Sequence, residues 1–156
     1  MSSGRRVPLP AGTLRLRGQI VLVGLWLGGL AAVGLIGAPT AFALIADRLA
    51  AAAVASRMFY WMSLVGLVLG GTLLVVEKRR ALRMSTPLLL VMGGLFFDVL
   101  GEFVIVPQLL AAAATGAASA SGWHLAASGA YLGQALCVLA YAWLLPSQLR
   151  GGAVAG

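Results

Sequence analysis

Acidic side chains are nearly absent from this sequence: Asp47, Glu77, Asp98 and Glu102 are the only four among 156 residues. Histidine and cysteine occur once each, as His124 and Cys137. A lone cysteine excludes an intrachain disulfide and any cysteine-based metal motif, and inside an apolar run it reads as a small buried hydrophobe. No HExxH, no phosphate-cradling loop and no set of nucleophile, base and orienting group is present, so nothing argues for an enzyme, and no cofactor is expected. Also missing is any polar stretch long enough to build a soluble core. The chain is 61% hydrophobic and 10% charged, outside the range of ordinary soluble domains.

What is present is four apolar stretches, at about 19–42, 59–76, 88–110 and 123–145. Each approaches or exceeds the roughly 20 residues that a helix needs to cross about 30 Å of hydrocarbon. The sequence therefore predicts an all-α, four-transmembrane-helix bundle. It divides into a basic arm over 1–18, a transmembrane domain over 19–146 and a short tail over 147–156. Arginines before the first stretch and the Ala41-Phe42-Ala43 cleavage form suggest a secretory signal, but that apolar run is longer than a signal core, and it is read as a span.

The formal charge of +7 would suggest nucleic acid in a soluble protein. Its distribution points to topology instead. Arg5, Arg6, Arg15 and Arg17 precede the first stretch, Lys78, Arg79, Arg80 and Arg83 lie between the second and third, and Arg150 follows the fourth. Only Arg48 and Arg57 fall on the other side. The positive-inside rule places the nine-residue side, with both termini, in the cytoplasm. The expected partner is the lipid bilayer of the cell membrane, the inner membrane if the source is bacterial, with no nucleic acid.

Punctuation divides the chain further. The arm, with Pro8 and Pro10, is expected to be disordered or to lie on the inner leaflet, and the first helix to end near Pro39. "IADRLAAAAVASR" reads as an interfacial helix or a helical extension. "EKRRALRMSTP" is a cytoplasmic turn in which Ser85 or Thr86 caps the third helix and Pro87 sits in its first turn. "AAAATGAASASG" is an external loop with no assigned role. Glycine pairs four apart, Gly24 with Gly28, Gly66 with Gly70 and Gly129 with Gly133, predict close helix contacts, within the chain or in a homo-oligomer.

Two acids interrupt the third apolar stretch, "GGLFFDVLGEFVIVPQLL". Fifteen Leu, Ile, Val or Phe residues between 88 and 110 favour insertion by roughly 4.5–9 kcal/mol, against roughly 5–7 kcal/mol for two central acids. Such acids need a proton, a partner or water, and by default mark function. Asp98 and Glu102 are one turn apart on the stripe of Gly94 and Gly101. Depth counting puts Asp98 near the midplane beside Gln134, with Tyr131, Ser128 and His124 further out on the fourth helix, Ser63, Tyr60 and Arg57 on the second, and Thr40 on the first. The sharp reading is an outward-open pocket with Asp98 at its floor, binding a solute or cation. The plain one is a structural network in which Arg57 reaches Glu102 and Gln134 bonds Asp98. His124 reads as an interfacial histidine or a ligand candidate. Met58 and Met62 offer a thioether pair to a soft metal or, as is commoner, pack. Trp26, Trp61, Trp123 and Trp143, with Tyr60 and Tyr141, suit aromatic belts where they fall near helix ends.

Residues 22–71 carry Trp-x-Gly-Gly at Trp26 to Gly29, Ala-Pro-x-x-Phe at Ala38, Pro39 and Phe42, the pair Leu49 and Ala50, and the aromatic start Phe59 and Tyr60. This run resembles the first half of the transmembrane-protein-205-like family, with a weaker match at Pro107. The Trp-Leu-Gly-Gly portion is also similar to copper-resistance membrane proteins. The resemblance implies the four-helix membrane fold and hints at transport. The expected function is binding or moving a small solute or cation. An accessory subunit of a membrane complex is the alternative.

Overall fold

The computed structural model describes residues 11–80 and 84–146. Arg5, Arg6, Pro8, Pro10, Arg83, Arg150 and the tail over 147–156 lie outside the described residues. Among those described there is no strand, and four helices are long and apolar enough to cross a membrane: Leu14–Leu44, Arg48–Arg80, Thr86–Ala114 and Ala120–Leu144, here spans 1 to 4. Each packs on its neighbours in sequence, and span 4 returns against span 1. The result is an antiparallel ring in which Arg15, Arg17, Lys78, Arg79 and Arg80 share one end, the basic end.

Local chemistry sets the boundaries. Asp47 caps span 2, accepting the Leu49 N–H at 2.9 Å on its carboxylate and the Ala51 N–H on its carbonyl. The alanine-rich segment that follows is the first part of span 2, which therefore runs 33 residues. Of the two expected caps for span 3, Ser85 is the one used, its hydroxyl accepting from Leu88 N, with Pro87 in the first turn. Span 3 runs on through Ala114 and closes through Gly116, whose φ of 64° is the left-handed conformation glycine adopts without penalty. The N–H groups of Gly116 and Ala117 return to the carbonyls of Ala113 and Ala112, the paired bonds of a Schellman cap.

Two expectations for span 1 are corrected. Its helix begins at Ala11, so residues 11–18 of the arm are helical, and it continues past Pro39 to Leu44. Pro39 is accommodated because the turn before it widens into a π-helix over Ala32–Gly37. Span 3 repeats the device, with a π-helix over Leu100–Ile105 just before Pro107. A proline has no N–H and its ring crowds the carbonyl four residues back. A local π adjustment re-pairs the freed backbone groups where no water is at hand.

Trp26 occupies the middle of the ring and is 0% exposed. It is thus a core residue rather than a belt residue, as is Tyr141. Room for the indole comes from missing side chains on two other spans. A Cβ on Gly66 would meet its Nε1 at 2.9 Å, and one on Gly70 or Gly94 would meet its Cη2 at 2.6 or 3.1 Å. Leu73, Val91 and Val138 belong to the same buried apolar cluster as Trp26.

The glycine pairs divide unevenly. Gly66 and Gly70 hold Trp26, and a Cβ on Gly133 would meet the Phe97 ring at 3.0 Å. Gly24, Gly28 and Gly129 have nothing within 4 Å of a built Cβ, so among the described residues a side chain there would meet open space. Close packing falls instead on Gly29 and Gly37, against Met62 and Met58, and on Gly34, against Tyr131.

Candidate functional site

Each span contributes to one polar centre. Trp26 comes from span 1, Ser63 and Gly66 from span 2, Asp98 from span 3 and Gln134 from span 4. Ser63 is one turn before Gly66, so both lie on the face of span 2 that looks inward. Asp98 is the penultimate residue of the α-helical part of span 3, which ends at Val99 just before its π segment. The Asp98 side chain is 4% exposed, Gln134 is 3% and Ser63 is 5%.

These groups converge on the bare Cα of Gly66. A Cβ built there would lie 2.8 Å from Asp98 Oδ2, 2.9 Å from Trp26 Nε1 and 3.5 Å from Gln134 Nε2. Ser63 and Gln134 both lie within hydrogen-bonding reach of the Asp98 carboxyl. Even so, Trp26 Nε1, Ser63 Oγ, Asp98 Oδ2 and Gln134 Nε2 make no hydrogen bond of ordinary length and angle among the described residues. Four such atoms lie together here and a fifth, Gln19 Oε1, lies at the basic end; a buried donor or acceptor left without a partner costs about 1–3 kcal/mol.

The structure thus joins Asp98 to Gln134, as their depths predict, and separates the remaining candidates. The centre is enclosed rather than open to the outside, which corrects the expected pocket. Glu102 is half-buried within the π segment and stays within electrostatic reach of Asp98. Tyr131 turns away to span 1: its hydroxyl donates to the Leu30 carbonyl, and its ring packs edge-on against Phe59, centroids 5.1 Å apart. Arg57 and His124 are exposed, and Arg57 makes no ion pair with Glu102 among the described residues. Met58 and Met62 spend their thioethers on Gly37 and Gly29. Among the described residues no three His, Cys, Asp or Glu side chains group as a metal site.

Tyr131 explains one of the two π segments. In a straight α-helix the Leu30 carbonyl would take the N–H of Gly34. Here the phenol takes that carbonyl and lies beside Gly34, where a Cβ would meet its oxygen at 2.8 Å. A side chain inserted into the hydrogen-bond ladder is a recognised cause of helix distortion. Only glycine at 34 leaves it room.

A second polar cluster, not foreseen from the sequence, sits at the basic end. Gln19 Nε2 donates to Glu77 Oε1 at 2.6 Å, and the Tyr141 hydroxyl donates to the same oxygen at 2.9 Å. Gln19 Nε2 also lies 3.0 Å from the Tyr141 hydroxyl, and Arg80 approaches Glu77 Oε1 at 3.8 Å. Glu77 is 2% exposed, although it opens the charged turn expected to be cytoplasmic. Its signal was weak but present, a single acid at the head of a basic run with an apolar helix behind it. This cluster ties spans 1, 2 and 4 together.

The fold and its interior define a small multi-pass helical bundle of membrane type, with a polar centre walled by all four spans. The chain belongs to the family described as domain of unknown function (DUF4149), whose profile matches residues 21–118. That match takes in Trp26, Ser63, Gly66 and Asp98 and stops before span 4. No curated protein matches the chain. No solved structure matches it either. The likeness to the transmembrane-protein-205-like family and to copper-resistance proteins finds no support in these comparisons.

Proposed function

We propose that this chain is a cell-membrane protein, with both termini cytoplasmic, that binds or moves a small solute or cation through the polar centre at Gly66. The observation that carries this reading is the convergence of buried polar atoms from spans 1, 3 and 4, Trp26 Nε1, Asp98 Oδ2 and Gln134 Nε2, on the bare glycine of span 2. A purely structural network would be expected to pair its members, since in hydrocarbon each unpaired group is costly. The cluster at the basic end pairs Gln19 Nε2, the Tyr141 hydroxyl and Glu77 Oε1 and leaves one atom, Gln19 Oε1, without a partner. Asp98 is the residue on which binding would turn, and Glu102 supplies a second acid in the half of the bundle away from the basic end.

The test is thermal unfolding of the chain in lipid nanodiscs, titrated with Na⁺, K⁺ and Zn²⁺ and separately across pH, in wild type and Asp98→Asn. A species that binds only the folded state raises the midpoint with concentration. The reading expects such a dependence in wild type and its loss in Asp98→Asn. Identical curves for the two proteins under every condition would defeat it.

A second reading is favoured by one observation. Gly24 and Gly28 leave an unfilled small-residue face on span 1, which suits a neighbouring helix from a homo-oligomer or a larger membrane complex. That reading expects cross-linking through this face in the bilayer.

A further inference from the structure

The two ends of the bundle are held together by different means. Toward the basic end each span packs on both of its neighbours in the ring, and the Gln19, Glu77 and Tyr141 group ties three of them. Toward the opposite end the ring divides into two hairpins. Ala38–Leu44, the last stretch of span 1, packs on span 2, whereas Val106–Ala114, the last stretch of span 3, packs on span 4. Each of these stretches is joined to its span through a π segment, Ala32–Gly37 or Leu100–Ile105, with a proline two residues beyond it. Such segments interrupt the regular helical ladder and are where helices bend. Each hairpin therefore carries one hinge.

A layer one turn from the polar centre links the hairpins. Counting three or four positions from Trp26, Ser63, Asp98 and Gln134, away from the basic end, leads to Leu30, Phe59, Glu102 and Tyr131. Three of these are joined: the Tyr131 hydroxyl donates to the Leu30 carbonyl, and its ring packs edge-on against Phe59. Tyr131 belongs to span 4, in one hairpin, and Leu30 and Phe59 to spans 1 and 2, in the other. Span 2 also approaches Leu100–Ile105 at this level. The phenol oxygen is within hydrogen-bonding reach of the Gly34 N–H as well, so it stands between the carbonyl and the N–H that a regular turn would join directly.

We infer that Tyr131 is the latch of a gate over Asp98: its phenol holds the two hairpins together one turn from the centre, and its release lets them part at the π segments. The bond to Leu30 suits this role because it can be given up without stranding a buried group. Once the phenol leaves, the Leu30 carbonyl and the Gly34 N–H pair with each other, as a backbone in hydrocarbon requires. Closed and open forms thus each satisfy the backbone, which is what a two-state element needs. In the closed form Asp98 is 4% exposed. Parting of the hairpins opens it toward the end away from the basic residues, past Glu102, while the Gln19, Glu77 and Tyr141 group keeps the other end shut. The inference rests on the reading above, in which Asp98 is what a solute reaches, and it assigns the side of entry and the residue that controls it.

The experiment uses the full chain in lipid nanodiscs on a Cys137→Ser background. Spin labels at Leu44→Cys and Ala114→Cys, exposed positions at the far ends of the two hairpins, report their separation by pulsed electron spin resonance, and labels at Leu14→Cys and Trp143→Cys report the basic end. Separately, a water-soluble carbodiimide with a water-soluble amine forms an amide at any carboxyl that water reaches, and peptide mass spectrometry reads Asp98. Tyr131→Phe keeps the ring and loses the hydroxyl, and Gly34→Ala puts a methyl where a Cβ would lie 2.7 Å from the phenol ring. Both are expected to lengthen the Leu44 to Ala114 distance, to leave the basic-end distance in place and to speed labelling of Asp98 by roughly two- to tenfold, the effect of one lost hydrogen bond on an opening equilibrium. An outer distance or a labelling rate that stays at the wild-type value in both variants overturns the inference. Equal lengthening at both ends also overturns it, since the bundle has then loosened as a whole. Neither readout involves a bound solute. A gate that opens as expected, with melting indifferent to Na⁺, K⁺, Zn²⁺ and pH, stands while the solute reading fails; ion-dependent melting with both gate readouts unchanged removes the gate and keeps that reading.

Discussion

Gln19 and Glu77, 58 positions apart in the chain, meet at 2.6 Å through Nε2 and Oε1, both buried, with the Tyr141 hydroxyl closing the group. Three spans are fixed in register there by two neutral donors on one carboxylate oxygen. Glu77→Leu leaves Gln19 and Tyr141 without their acceptor and is expected to lower stability by about 1–3 kcal/mol, the scale for orphaning buried polar groups. Tyr141→Phe removes one donor and should cost less, about 0.5–1.5 kcal/mol. Reversible unfolding in lipid–detergent mixtures measures both. Wild-type stability in Glu77→Leu would show that the cluster holds nothing together.

The glycines give a paired prediction. Gly133→Leu should lower the melting temperature, since even a Cβ at that position meets the Phe97 ring at 3.0 Å, whereas Gly129→Leu, with open space around it, should leave melting nearly unchanged. Thermal denaturation of the two variants side by side decides this. Equal destabilisation would mean that Gly129 also faces a helix in the bilayer.

Tyr131 and Gly34 should behave as a lock and its keyhole. Tyr131→Phe removes the bond to the Leu30 carbonyl and is expected to cost about 0.5–1.5 kcal/mol. Gly34→Ala should cost more, because its methyl would press on the phenol ring at 2.7 Å. Combining the two changes should cost less than the sum, since the ring is then no longer held against position 34 by its hydroxyl. Simple additivity in a double-mutant cycle would contradict the insertion account.

At Asp98 the contrast with Gln134 is informative. Asp98→Asn keeps size and shape and is expected to leave the bundle folded while removing pH-dependent behaviour. Gln134→Leu withdraws a polar group from the same point, with an expected loss of ~0.6–2 kcal/mol on the membrane scale. Stability and proton flux measured on both variants separate the roles. Unaltered proton flux in Asp98→Asn would remove this residue from the functional reading.

Topology is tested independently of the centre. Reporter fusions at residue 84 and after residue 146 should report the cytoplasm, and a fusion at residue 117 the other side, because basic residues at the ends of spans 1 and 2 resist translocation. A cytoplasmic signal at residue 117 would invert the proposed orientation.

The sequence by itself determined the number of spans, their antiparallel order and the acid in the third of them. Those properties follow from length, apolarity and short connections, which act locally and need no partner. The depth match of Asp98 with Gln134 was legible for the same reason, since rise per residue is fixed once the spans are known. Tertiary structure alone decided which face of each helix turns inward. In lipid the outward face is as apolar as the inward one, so periodicity carries little of that information. This is why the glycine pairs could not be sorted from the sequence, Gly66 and Gly70 holding Trp26 while Gly24, Gly28 and Gly129 have open space beside them within the described chain, and why Trp26, grouped there with the aromatics that suit belts near helix ends, is the centre of the core. It is also why Glu77 reads as part of a charged turn in the sequence. Its burial depends on Gln19 and Tyr141 arriving from distant helices, and only the packed ring brings them there.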